Sequence, residues 1–426
     1  MQLNFVDLFA GCGGLSLGFT ELGHRGLLAV EKSKDAFKTL KHNLIQGVSG
    51  KPGNFDWPAQ IPIQEYEIQV LLRDYSDQLK ALKGKVDVVV GGPPCQGFST
   101  YGQREPNDVR NFLYLRYLDF VRLVYPSVVI LENVEGINMP FLHKRANTNK
   151  QCKETTAYKI KKQLNKLGYS TIALRLCASD YGVPQIRPRF FIIGVRNLDQ
   201  ATLDTCTEDG FLNKVRTQHL SAIGLKTHAF VTVKQAISDL ESFGSGVIDS
   251  IDTRGFSQID YRGPKSSYQK YMHDGMKKKT SMNSMRLARH SEKTISRFST
   301  IIKKALPGRN IDAALRLELG SAKFRTHLLA ADGLAPTITT LPDDFVHYSE
   351  PRILTVREFA RLQSFPDWFD FQGKYTSGGA RRKVECPRYT QIGNAVPPRM
   401  AAFLARYTET VLQLRESQNQ WQQKAA

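Results

Sequence analysis

Apolar and polar positions follow two interleaved rhythms along the first 195 residues. Short apolar runs predict strands at residues 3–9, 27–30, 86–90, 127–131 and 190–195, and amphipathic stretches between them predict helices at 15–22, 111–124 and 157–167. Several runs, VVV at 88–90 and VVIL at 128–131 among them, are apolar at every position, as a strand requires when both faces of its sheet are covered. Strands alternating with helices in this way predict an α/β fold with a doubly wound, mostly parallel sheet. From about residue 197 to 350 the rhythm fades into a polar, basic stretch bearing glycine and serine, which predicts a smaller irregular domain. Order returns in TVREFARLQS at 355–364, a predicted helix, and in QIGNAVPP at 391–398. A last helix over 399–415 is expected to pack back on the first domain and to leave a polar tail exposed. The expected division is residues 1–196 with 386–426 in one domain and 197–385 in the other.

Length and composition narrow the class. A chain of 426 residues buries a full core without staples. Its six cysteines are scattered, with no CxxC pair and no Cys/His cluster at zinc spacing, so reduced thiols and no metal site are expected. The opening MQLNFVDLFAGCGG has no basic segment followed by an apolar one, and no apolar run approaches membrane-spanning length. A soluble, cytoplasmic protein without membrane partners is the expectation. The net charge of +19 is concentrated, because residues 261–310 hold 13 Lys and Arg against two acids, Asp274 and Glu292. Such runs are often only solvated faces. Here Tyr261, Tyr268, Tyr271 and Phe298 are interleaved with the bases, which points to a surface that tracks a polyanion.

Four motifs carry candidate chemistry. The first is DLFAGCGG at 7–14, a strand running into a glycine turn and a helix, with Glu31 ending the next strand. Glycines let a ligand approach the backbone, and an acid in that place binds two ribose hydroxyls. A plain tight turn or an NAD site would show similar residues, although the spacing departs from G-x-G-x-x-G. The second is GGPPCQGFS at 91–99, where Cys95 leaves the end of a buried strand, held by two prolines and followed by a polar loop built like a lid. A buried structural cysteine is the plainer alternative. The third is VVILENV at 128–134, in which partial desolvation favours the protonated form of Glu132 and makes it a general acid, or else the residue caps the next helix. The fourth is QIRPR at 185–189, whose two arginines, one residue apart, are expected to project to the same side and grip an oxygen or an anion.

Together and in this order the motifs resemble the cytosine-5 DNA methyltransferase family of the bacterial restriction-modification type, over residues 1–195 and about 351–410. The resemblance implies a Rossmann-like methyltransferase domain that binds S-adenosylmethionine, a smaller target-recognition domain, and methyl transfer to carbon 5 of a cytosine flipped out of double-stranded DNA. Cys95 is then the nucleophile that adds to carbon 6, Glu132 the acid at N3, and Arg187 and Arg189 the residues that hold the base and orient that acid. Phe9 stacks on adenine, Glu31 binds ribose, and Asp7, Gly11, Gly13, Gly14, Pro94 and Asn394 complete the cofactor site. The family's short acidic motif contacting adenine is blurred, with Glu67 preferred to Asp74. An RNA cytosine-5 methyltransferase and a catalytically inactive DNA-binding paralogue stand as alternatives. The long basic insert argues against the first, and intact Cys95, Glu132 and arginines argue against the second. A monomer is expected, with a restriction endonuclease acting on the same site as a possible partner.

Overall fold

In the computed structural model six strands form the central sheet: β1 (Asn4–Leu8), β2 (Arg25–Val30), β3 (Val88–Gly91), β4 (Val128–Asn133), β5 (Tyr169–Cys177) and β6 (Pro188–Arg196). The structure describes residues 1–48, 50–94, 112–140, 154–226, 229–277, 280, 282–378, 381 and 384–425. Across the sheet the order is β2-β1-β3-β4-β6-β5. The first four strands run parallel, and β6 is antiparallel to both β4 and β5.

Both faces are covered, which explains the unbroken apolar runs. Phe5, Val88, Val90, Val128 and Ile130 enter one core with Leu15 and Phe19 of α1 (Gly14–Glu21). Their neighbours Val6, Leu8, Val89, Val129 and Leu131 point the other way. They pack with Tyr117 and Phe120 of α2 (Leu113–Val124) and with Ile160 and Leu164 of α3 (Thr156–Lys166). The fold is therefore α/β with a largely parallel sheet, as the pattern predicts. One strand escapes that pattern. β5 lies at the sheet edge and buries alternate residues from Ile172 to Leu176, so YSTIALRLC offers only the short apolar run IAL to mark it.

Between 197 and 385 the chain does not form a single separate core. Leu203, Cys206 and Val215, the last on α4 (Asp209–Ala222), join the first core beside Met400 and Phe403. Val231, Val233, Ile237 and Tyr268 share a third core with Ala10, Cys12 and Leu17. Two small clusters stand apart. Leu240, Ile259, Tyr261, Met282 and Met285 form one. The other contains Phe298 and Ile301 of α5 (Glu292–Lys304) with Ile311, Leu315, Leu328 and Val346. Tyr261, Tyr268 and Phe298 are thus buried, and of the four aromatics in the basic stretch only Tyr271 is exposed. Tyr261 and Phe298 fill the small clusters and Tyr268 the third core, while Arg262, Lys265, Lys270 and Lys277 between them stay exposed.

The end of the chain is more regular than its polarity suggests. Thr355 caps α6 (Val356–Leu362) in a reciprocal capping box with Glu358. After α7 (Arg388–Asn394), α8 runs from Pro398 to Ala425 and takes in the stretch expected to trail as a tail. Among the described residues no helix is long and apolar enough to cross a membrane.

Candidate active site

Parallel strands bring the carboxyl ends of β1 to β4 to one edge, and the candidate groups collect there. The chain leaves β1 through Phe9, whose φ of 61° is left-handed. Holding a non-glycine residue there costs roughly 1–3 kcal/mol and persists only where neighbours over-determine it. Ala10 N donates to Val30 O at 3.0 Å, and Gly11 N donates to Glu31 Oε2 at 3.0 Å, which pins the turn to the end of β2. The other oxygen of Glu31 accepts from Ser33 N at 2.7 Å. Burial raises the pKa of Glu31 above the ordinary glutamate range against the pull of both amides.

Gly11 has a φ of 57° and nothing within 4 Å of the position a Cβ would take, so the turn lies open to a ligand at this residue. Gly13 and Gly14 owe their missing side chains to protein packing. A Cβ would stand 2.9 Å from Leu44 Cδ1 at Gly13 and 2.3 Å from Val396 O at Gly14. The close approach of Val396 presses QIGNAVPP against the start of α1, and Cys12 Sγ donates to Gln391 O at 3.6 Å from the same turn. Asn394, two residues before Val396, is exposed. Asp7 is buried, with Oδ2 accepting from Ser16 N at 3.1 Å and Ser16 Oγ at 2.6 Å. Its Oδ1 has no partner among the described residues, and burial pushes its pKa up to about 7. Tyr66 N donates to Glu31 O at 2.9 Å, which holds exposed Glu67 one residue from that anchor. Asp74 lies at the far end of the helix Ile68–Asp74 and pairs with Arg73 at 2.6 Å.

The second half of the site is built on β3, β4 and β6. A Cβ on Gly92 would stand 2.8 Å from Glu132 Oε2, so the chain after β3 passes directly against that carboxylate. Buried Asn133 donates from Nδ2 to Pro93 O at 3.2 Å and accepts from Val134 N at 2.9 Å through Oδ1. Glu132 and Asn133 therefore grip the residues that lead through half-buried Pro94 to Cys95. Cys95 itself, and the loop to residue 111, lie outside the described residues. Three other cysteines are held as thiols, since burial raises Cys12 well above the usual range, Cys206 to about 11 and Cys386 to about 12.

The two arginines of QIRPR have different partners. Arg189 Nε meets Glu132 Oε1 at 2.7 Å, and both side chains are largely shielded, 11% and 14% exposed. Arg187 is 1% exposed and donates to Ile338 O at 3.0 Å, Gly393 O at 2.7 Å and Ala395 O at 3.1 Å. Arg187 donates to backbone carbonyls, two of which flank Asn394, and to Gln185 Oε1 at 3.4 Å, while Arg189 faces Glu132. Gln185 works beside it, donating to Leu362 O at 3.2 Å and accepting from Ile338 N at 2.8 Å. Sequence patterns also miss a set of buried ion pairs. Arg361 binds Asp367 and Asp239, and Arg352 binds Glu358 at 2.7 Å and Glu350 at 2.6 Å, all within or against RILTVREFARLQSFPD. Charged Arg357, Glu358 and Arg361 in a helix whose every residue is buried are their sequence signal.

The profile of the C-5 cytosine-specific DNA methylase family matches residues 3–409. The chain is 30% identical over 414 residues to Type II methyltransferase M.DdeI of Desulfomicrobium norvegicum, covering 95% of this chain and 88% of that one. It is 29% identical over 419 residues to Type II methyltransferase M1.HphI of Haemophilus parahaemolyticus, covering 97% and 88%. Among solved structures, an E. coli prophage protein described as a DNA modification methyltransferase superimposes with a TM-score of 0.63 at 24% identity, over 97% of this chain and all of that one. The Dnmt2 methyltransferase of S. pombe gives 0.52 at 13% identity, over 97% and 99%. These two likenesses concern the fold.

Proposed function

Because the chain belongs to the C-5 cytosine-specific DNA methylase family, and so is a DNA cytosine-5 methyltransferase, we propose that Cys95, Glu132 and Arg189 carry out its chemistry on a flipped cytosine. The observation that carries this reading is the joint formed by Glu132 and Asn133. One is ion-paired to Arg189 and lies against Gly92, and the other holds the Pro93 carbonyl two residues before Cys95.

Carbon 5 of cytosine is a poor nucleophile, and addition of the Cys95 thiolate to carbon 6 makes it an enamine carbon able to attack an electrophile. Glu132, steadied at Oε1 by Arg189, has Oε2 turned toward Gly92 and holds the proton at N3 as that charge develops. Arg189 fixes the base edge. After methyl transfer, water takes the carbon-5 proton, the 5,6 double bond re-forms, and the bond from carbon 6 to sulfur breaks to release the Cys95 thiolate. S-adenosylmethionine, when bound, supplies an electrophilic methyl group on sulfonium. The open Gly11, the Glu31 carboxylate with lone pairs left for ribose hydroxyls, Asn394 and the unpartnered Asp7 Oδ1 fit such a cationic nucleoside. Phe9, Glu67 and Pro94 complete that set, with Arg187 acting through Asn394.

The two small clusters between residues 240 and 346 and the exposed bases around them are the proposed target-recognition part of residues 197–385. The Type II names of the relatives support a restriction-modification setting, and the reading adds an endonuclease acting on the same site and a monomeric, cytoplasmic enzyme. Incubating the protein with S-adenosylmethionine and a random duplex library, then locating 5-methylcytosine at base resolution, tests the reading. One short recurrent site supports it, and methylation of RNA alone overturns it.

A further inference from the structure

A lone exposed apolar side chain means little on a protein surface. Phe324 is different in three respects. It is 76% exposed although the lobe beside it buries Phe298, Ile301, Ile311, Leu315, Leu328 and Val346. The Arg316 guanidinium lies 4.6 Å from its ring centre, so a cation backs the aromatic plate. The backbone is pinned on both sides by one residue, since Asn310 Nδ2 donates to Phe324 O at 2.7 Å and Asn310 Oδ1 accepts from Thr326 N at 2.7 Å. Exposure here is imposed by a rigid frame.

That frame is connected to the catalytic strand. Arg325 donates to Thr337 O at 3.2 Å, and Thr337 Oγ1 donates to Ile186 O at 2.8 Å. Ile186 N donates to Ala335 O at 2.8 Å, and Arg189, three residues on, holds Glu132. The nearby acids are already engaged, Asp343 and Asp344 by Lys323 and Glu318 by Lys304, while Arg309 and Lys303 are exposed. We propose that Phe324, backed by Arg316, stacks against the bases of the DNA duplex beside the flipped cytosine and so positions the target. This rests on the chain methylating duplex DNA. Where the cytosine leaves the stack its neighbour exposes a flat base face to the ring, and the backbone offers a phosphate to the guanidinium, which suits this pair better than a protein surface does.

The test compares wild type with Phe324→Ala, Phe324→Leu and Phe324→Trp on a fluorescein-labelled duplex carrying the methylated site. Phe324→Ala is expected to bind about tenfold more weakly, the scale of one base–aromatic stack, with Phe324→Leu between it and wild type. Phe324→Trp should keep wild-type affinity and show emission, above the wild-type background, that DNA quenches. Equal affinity of Phe324→Ala and wild type, or unquenched emission from Phe324→Trp while the duplex is methylated, would overturn the proposal. So would loss of self-association in Phe324→Ala with DNA affinity intact, which would mark a protein interface. Quenching by DNA in a protein that methylates no duplex would support the stacking and remove the functional reading instead.

Discussion

Arg189 and Glu132 are diagonal neighbours on one face of the sheet. Glu132 of β4 pairs with Phe191 of β6, and Arg189 sits two residues before Phe191, so strand alternation turns both side chains the same way and their ion pair closes at 2.7 Å. The guanidinium therefore reaches the carboxylate through register alone, without any loop.

If that pair works on the base, Arg189→Ala should lower kcat by about 10²–10³ and leave S-adenosylmethionine binding near normal. Arg189→Lys should recover only part of the loss, because a point charge does not reproduce the planar fork. Glu132→Gln should cost about 10²–10⁴. Single-turnover rates alongside thermal melts check this. A fall in melting temperature with the rate per folded molecule retained would make the pair structural.

At the other half of the edge, Glu31→Ala should weaken S-adenosylmethionine binding about 10- to 100-fold, since it removes a charged acceptor and frees the Gly11 and Ser33 amides. Glu31→Gln keeps an acceptor and should lie between. Calorimetry reads both, and NAD should not compete. Tight NAD binding would contradict the cofactor assignment.

Asp7 carries a pH signature. Its pKa rises from about 3.8 to about 7 on folding, so the protein is favoured with Asp7 protonated. That contribution is complete below the unfolded value and is lost as pH climbs through about 4 to 7. Asp7→Asn should flatten this part of the stability profile and gain on wild type at pH 8 relative to pH 5, by on the order of a few kcal/mol. Parallel denaturation curves at both pH values would contradict it.

Much of the edge was legible because its residues sit where apolar runs end. A strand buried on both faces announces itself, and the residues that follow it, Phe9, Glu31 and Gly92, or that end it, Glu132, fall at the sheet edge by geometry. What escaped was decided by partners far away in the chain. Arg187 looks like Arg189 in sequence, yet carbonyls at 338, 393 and 395 claim it. Tyr261 and Phe298 stand among bases and still turn inward, because the lobes they fill have few other apolar residues. The apolar signal for residues 200–240 does not distinguish which of the large cores receives Val215 or Val233.

The basic stretch predicts a salt response. Lys277 is exposed, and Lys278 and Lys279 lie outside the described residues. Replacing all three with Gln should weaken binding to every duplex about equally and reduce the log–log salt slope by about 0.9 for each phosphate no longer neutralised. The methylated site should not change. An unaltered slope would assign this run to solvent.

The covalent step is the centre of the mechanism, and a duplex carrying 5-fluorocytosine at the methylated position tests it most directly. Fluorine cannot leave as a proton does after methyl transfer, so the enzyme should remain attached to the DNA, and digestion with mass spectrometry should find the link on the peptide containing Cys95. Cys95→Ser should form no such complex while still binding S-adenosylmethionine. A trapped complex in Cys95→Ser, or turnover by that variant close to wild type, would contradict the mechanism.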